Sequence, residues 1–157
     1  MSNLQQLRGR TRSDYGFFLD YRTRWNDNDM YGHVNNSVYN FLADSIVNAY
    51  LAQCADEKSP SERPQRGLVA HTQTNYFAPV SYPTVMELGL RVNHLGKSSV
   101  RYEIGLFNRG EAAVKAVCEL THVFVDRETG RSSPKGMDDS IREGLQRIEA
   151  GKLSTKL

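Results

Sequence analysis

Along residues 17–25, "FFLDYRTRW", the side chains Phe17, Leu19, Tyr21, Thr23 and Trp25 alternate with Asp20, Arg22 and Arg24, the two-residue period of a half-buried strand. The period then changes. From Asn36 to Cys54, "NSVYNFLADSIVNAYLAQC" has helical length, no proline or glycine, and Val38, Tyr39, Phe41, Leu42, Ile46, Val47, Tyr50 and Leu51 spread over nearly every face. Such a helix is expected to be enclosed. Residues 55–67, "ADEKSPSERPQRG", are charged and proline-bearing and predict a solvent loop.

Four strand-like segments follow in succession. "HTQTNYFAPV" closes near Pro79; "TVMELGLRVNHLG" alternates Met86, Leu88, Leu90 and Val92; "SSVRYEIGLFNRG" alternates Val100, Tyr102, Ile104 and Leu106; "AAVKAVCELTHVFVD" is long and β-branched. "HLGKSS" at 94–99 and "NRGE" at 108–111 supply the glycines for hairpin turns. "DDSIREGLQRIEAGK" places Ile141, Leu145 and Ile148 at helical spacing behind acids, which predicts a short amphipathic helix. The order β-α-β-β-β-β-α implies an α+β domain in which a long antiparallel sheet curls around one buried helix. The expected division is a loose basic tail at 1–15, the main domain at 16–130, and a C-terminal extension with its amphipathic helix at 131–157.

At 157 residues the chain suits one domain that buries about two thirds of its unfolded surface without disulfide or metal. A net charge of +2 with both signs interspersed lacks the basic stripe of a nucleic-acid binder. Cys54 and Cys118 form no CxxC pair, so both are read as buried packing residues in a reducing compartment. No apolar run reaches the roughly 18 residues of a membrane span, and no signal-peptide core follows Met1. A cytoplasmic location is expected. Arg8, Arg10 and Arg12 in an acid-free opening leave a mitochondrial presequence as the alternative to a frayed tail.

Candidate chemistry concentrates before the long helix. "WNDNDMYGHVNNSVY" holds Asn26, Asp27, Asn28, Asp29, His33, Asn35 and Asn36, whereas capping a helix needs one polar residue. An EF-hand reading of "DNDMYGHVNNSV" fails, because Tyr31 and Val38 stand where an acceptor and a bidentate glutamate are required. His33, His71, His94 and His122 have no metal-ligand spacing, and neither a metal nor a cofactor is expected. There is no G-x-S-x-G elbow. A carboxylate beside a helix N-terminus can instead attack an activated ester or deprotonate a water, with backbone N–H groups holding the oxyanion. Thioesters suit this design, since a thiolate leaves readily.

The aspartate followed by "GHVNN", the apolar helix, and then "NYFAPVSYPTVMELGLRVNHLGKSSVRYEIGLFNRGEAAVKAVCELTHVFVD" resemble the hotdog-fold acyl-CoA thioesterases of the 4-hydroxybenzoyl-CoA thioesterase type, over about residues 16–127. "RWNDNDMYGHVNNSVY" is also similar to plant acyl-ACP thioesterases, although Tyr31 stands where those enzymes have an asparagine. The resemblance implies Asp29 as the catalytic carboxylate, the amide near Asn36 as oxyanion donor, and His33 as a helper; Asp27 is read as loop structure. It implies an acyl-CoA substrate and a homodimer or dimer of dimers with sites at the interface. Lys97, Ser98 and Ser99 at the Gly96 turn, and more weakly Arg91, are candidates for phosphate or pantetheine contacts, against an ordinary solvated hairpin. Two other readings stand beside thioester hydrolysis. A hotdog hydratase or dehydratase would use His33 but lacks its expected proline-rich segment, and a non-catalytic acyl-binding protein would not need Asp29.

Overall fold

The computed structural model describes residues 1–54, 59 and 61–153. In chain order the elements are α1 (Asn3–Arg8), β1 (Phe17–Arg22), α2 (Asn36–Cys54), β2 (Gln65–Tyr76), β3 (Val85–Leu95), β4 (Ser99–Asn108), β5 (Val114–Asp126), α3 (Asp139–Gln146) and α4 (Ala150–Leu153). The five strands form one antiparallel sheet in the order β1-β3-β4-β5-β2. Hairpins at Gly96–Ser99 and at Gly110, which takes φ +83° where a side chain would be strained, make β3, β4 and β5 a meander. The positions predicted from the alternation, Met86, Leu88, Leu90, Val92, Val100, Tyr102, Ile104 and Leu106, face one way and join Ala116, Cys118 and Leu120 of β5 in a single buried cluster beneath α2.

Helix α2 has the expected bounds, but it is not enclosed on all sides. Tyr39, Leu42, Ala43, Ile46, Val47, Tyr50 and Leu51 are buried at three- and four-residue spacing, and burying each large member contributes about 1.5–3 kcal/mol. Asn40, Asp44, Ser45 and Asn48 lie on the opposite, exposed face, and Phe41 there is 72% exposed. A five-stranded sheet covers one side of a helix, and outside the buried stripe only Val38 and Phe41 are large and apolar, so the helix is amphipathic.

Three other expectations are corrected. Strand β2 begins at Gln65, inside the predicted loop, because Gln65, Arg66 and Gly67 pair with Asp126, Val125 and Phe124; residues 55–58 and 60 of that loop lie outside the described residues. β1 ends at Arg22, and Trp25–Asp27 forms a 3-10 turn in which Trp25 is exposed. The opening residues are docked, not frayed. Leu7 and Tyr15 are buried with Phe107, Val114 and Val117 on the outer face of the sheet, and the Tyr15 ring fills a groove left by Gly89 and Gly105, where an added Cβ would approach it to 2.7 and 2.5 Å. At the other end of the chain, Met137, Ile141, Leu145 and Ile148 belong to the main core, which makes the C-terminal extension part of the same unit.

Candidate active site

The polar loop between β1 and α2 is built by its own side chains. Asp27 is buried and accepts from the Arg24 backbone N–H (2.6 Å), the Tyr21 hydroxyl (2.8 Å) and the Arg24 guanidinium (3.0 Å). Burial pushes its pKa up, but these donors more than offset that and hold the carboxyl below its ordinary value. Its carbonyl takes the Asn35 N–H (2.8 Å), and the Asn35 side chain caps α2 by accepting the Ser37 N–H (3.0 Å) and hydroxyl (2.7 Å). Asn28 bridges to Val34, Val34 N–H donates to the Val80 carbonyl (2.7 Å), and Tyr82 N–H donates to Asn28 Oδ1 (3.1 Å). The loop is thereby tied to the segment leading into β3.

Residues 29–33 form a tight reversal inside that frame. Gly32 N–H donates to the Asp29 carbonyl (3.0 Å), Asp29 N–H to the His33 carbonyl (2.9 Å), and Gly32 takes φ +77°. The Asp29 carboxylate is half-buried, and its Oδ1 accepts the Tyr31 N–H at 2.9 Å. Oδ2 has no protein donor among the described residues. Behind it, the N–H of Asn36, first of α2, also has no acceptor among the described residues, as helix geometry leaves it. The Tyr76 hydroxyl donates to the Asn36 carbonyl (3.3 Å), and its ring lies edge-on to Tyr39 at 5.0 Å. The His33 side chain is exposed. Asp29 and His33 lie on the loop that leads into α2 and Asn36 is the first residue of that helix, and Tyr76, which lies far along the chain and has no local sequence signal, secures that helix end.

The other candidates lie elsewhere. Lys97, Ser98 and Ser99 occupy the β3–β4 turn, at the far end of strands whose other end, Val85, adjoins the loop; eleven residues of β3 separate the two ends by roughly 30 Å at about 3.3 Å per residue. One protomer does not bring Lys97 to Asp29. Lys97 is exposed, and its carbonyl accepts the Met137 N–H (3.0 Å) and, with that of Gly96, the Arg142 guanidinium (2.9 and 2.8 Å). Arg91, the weaker phosphate candidate, is engaged within the protein. It lies on the outer face, where its Nε meets Asn93 Oδ1 (2.8 Å) and Glu103 Oε1 (3.5 Å). The same buried Glu103 takes Arg10 (2.7 and 3.1 Å), Tyr15 (3.0 Å) and Asn93 (2.9 Å). Among the described residues no His, Cys, Asp or Glu cluster could hold a metal ion, and no helix is long and apolar enough to cross a membrane.

Comparison with known proteins agrees with this architecture. The PA5185 protein of Pseudomonas aeruginosa strain PAO1 superposes with a TM-score of 0.81 at 40% identity, covering 88% of this chain and 95% of that one. Slr0204, a 1,4-dihydroxy-2-naphthoyl-CoA thioesterase from Synechocystis, gives 0.73 at 13% identity over 83% and 95% of the two chains. SAV2348 of Staphylococcus aureus, in complex with CoA, gives 0.76 at 14% identity over 90% and 85%. The last two likenesses speak for the fold. No curated protein matches the sequence. Residues 23–145 match the sequence profile of the thioesterase-like superfamily, and with the curved antiparallel sheet laid against its central helix the chain is a hotdog-fold member of that superfamily.

Proposed function

We propose that the protein hydrolyses acyl-CoA thioesters to free acid and CoA, with Asp29 as the catalytic carboxylate. The reading is supported by an Asp29 oxygen without a protein donor among the described residues and by an unengaged N–H on Asn36, the first residue of the helix into which the same loop leads. Asp29 either adds to the thioester carbon or takes a proton from the water that does. In both cases the carbonyl oxygen gains negative charge, which the Asn36 N–H and the helix dipole stabilise, and the C–S bond breaks to release a thiolate; where Asp29 itself adds, the acyl–aspartyl anhydride so formed is then opened by water to give the free acid and restore the carboxylate. His33, exposed beside the reversal, is assigned a helping role in proton transfer to that thiolate. Lys97, with Ser98 and Ser99, is assigned to the carrier's phosphate end, and the CoA complex of SAV2348 supports a CoA-type ligand on this fold.

This reading needs a second copy. β2 is a twelve-residue edge strand, twice the length of β1, with Leu68 43%, Val69 50% and Tyr76 45% exposed. Long open edges of this kind invite strand pairing. Beside it, a cleft of about 420 Å³ runs between Phe41, Asn40 and Asp44 of α2 and Val69 and Thr72 of β2. A two-fold pairing of β2 with its copy continues the sheet, covers Phe41, and carries the far-end turn of one copy toward the Asp29 loop of the other. The testing experiment is a panel of aliphatic and aromatic acyl-CoAs assayed for free-thiol release. Turnover of at least one of them is expected, and no release from any overturns the assignment.

A further inference from the structure

We propose that the aromatic tip of the β1–α2 loop docks the protein on an anionic lipid surface. Trp25, Met30 and Tyr31 are 78%, 92% and 80% exposed, and they belong to one patch. The Trp25 ring meets the Tyr82 ring edge-on at 5.9 Å. The Asn28 side chain accepts the Tyr82 N–H (3.1 Å) and donates from its other end to the Gly32 carbonyl (3.3 Å), so a single amide spans from the Trp25–Tyr82 pair to the reversal that carries Met30 and Tyr31. Scattered apolar residues on a surface are ordinary, whereas a connected group of large ones marks a contact site. The tip is held in place. Gly32 N–H donates to the Asp29 carbonyl (3.0 Å) and Tyr31 N–H to the Asp29 carboxylate (2.9 Å).

Position, shape and charge select the occupant. Trp25 follows β1 and Tyr82 precedes β3, on the side of the sheet away from β2 in the order β1-β3-β4-β5-β2. Four strand spacings of about 4.8 Å set β1 roughly 19 Å from β2, so a second copy paired through β2 leaves the Trp25–Tyr82 pair open. The side chains project from a tip and do not line a groove. A protein partner would need a pocket shaped for each of them, whereas a lipid interface receives protruding Trp, Tyr and Met side chains, with the polar edges of the rings at the headgroup level. The charges of the loop are sorted to match. Arg22 and Arg24 are exposed on either side of Thr23, just ahead of Trp25, while Asp27 is buried against Tyr21 and Arg24 and Asp29 is half-buried. Guanidinium groups turned outward and carboxylates turned inward suit the phosphates of an anionic leaflet. This surface stands whether or not thioesters are hydrolysed, since its contacts involve neither the Asp29 carboxylate nor the Asn36 N–H.

Trp25 is the single tryptophan of the chain, so its fluorescence reports on the patch alone. The full chain is titrated with vesicles of equal parts phosphatidylglycerol and phosphatidylcholine, and with vesicles of phosphatidylcholine alone, with co-sedimentation as the second readout. Free protein should emit as a water-exposed indole at every protein concentration. The mixed vesicles should shift the emission to the blue and carry the protein down, less so as salt is raised, and phosphatidylcholine alone should bind it more weakly. Exchange of the exposed Arg22, Arg22→Gln, should weaken partitioning about five-fold. The double variant Met30→Ser, Tyr31→Ser should lose the shift at an unchanged melting temperature. Emission that is already blue without vesicles and reddens on dilution would give the patch to a second copy and overturn the proposal. So would the absence of a shift with the mixed vesicles, equal partitioning onto phosphatidylcholine alone, or sedimentation with vesicles that leaves the Trp25 emission unchanged.

Discussion

At the scale of single residues, two aspartates two positions apart have different surroundings. Asp27 spends its carboxylate on Tyr21 and Arg24, whereas Asp29 gives one oxygen to Tyr31 and keeps the other unbound by protein. Asp27→Asn should therefore lower stability by about 1–3 kcal/mol, the worth of hydrogen bonds to a buried charge, and thermal unfolding would register it. A melting temperature equal to wild type would show that the loop does not depend on that carboxylate. The polar density of the loop was legible in the sequence because seven such residues exceed what a cap requires. That Asp27 belongs to loop structure was read only beside the resemblance, because the donors that occupy it are brought together by the 3-10 turn. For Arg91 the alternation indicated a strand, and its contacts with Asn93 two residues along β3 and with Glu103 on β4 follow from side-chain conformation and strand register, which the sequence does not show.

At the scale of elements, alternation and helical spacing located the strands and α2, since both report burial of one face directly. They did not foresee how the first fifteen residues dock, because that depends on Gly89 and Gly105 standing opposite one another in register and on a buried Glu103 four partners deep. Glu103→Gln leaves Arg10 and Arg91 facing a neutral group and should cost roughly 3 kcal/mol, again read by thermal unfolding. Burial pushes the Glu103 pKa up, but Arg10, Asn93 and Arg91 outweigh it and hold the carboxyl below its ordinary value. The stability it provides is therefore present above about pH 4.3 and lost as pH falls through the folded value. The glutamine variant should lose this acid limb. His122 acts in a different window. It lies under α2, 2% exposed, with Nδ1 unpartnered, and burial lowers its pKa against a smaller opposing effect of Asp44. The unfolded imidazole gains its proton near pH 6.5 and the folded one only at lower pH, so stability is full above about 6.5 and falls as pH drops below it. Denaturant unfolding of His122→Leu should show a flatter pH dependence between 7 and 5; an unchanged slope would contradict it.

At the scale of the whole molecule, Phe41 on the otherwise polar exposed side of α2 and Val69 on the open β2 edge line one cleft, and in the sequence Val38 and Phe41 are the large apolar residues of α2 left outside the buried stripe. Which neighbour covers that surface is not written in the chain's own periodicity, since a second copy and a wider sheet produce the same apolar signal. Val69→Lys should yield a folded monomer by sedimentation and circular dichroism, with thiol release lost along with the interface. A Val69→Lys dimer that still turns over would remove the shared site. The claim on which everything else rests is the Asp29 carboxylate. Steady-state thiol release from a turned-over acyl-CoA, compared between wild type and Asp29→Asn at equal melting temperature, tests it most directly. Loss of a positioned carboxylate should lower kcat by about 10²- to 10⁴-fold with acyl-CoA binding retained, and an Asp29→Asn protein that turns over at the wild-type rate would contradict the mechanism.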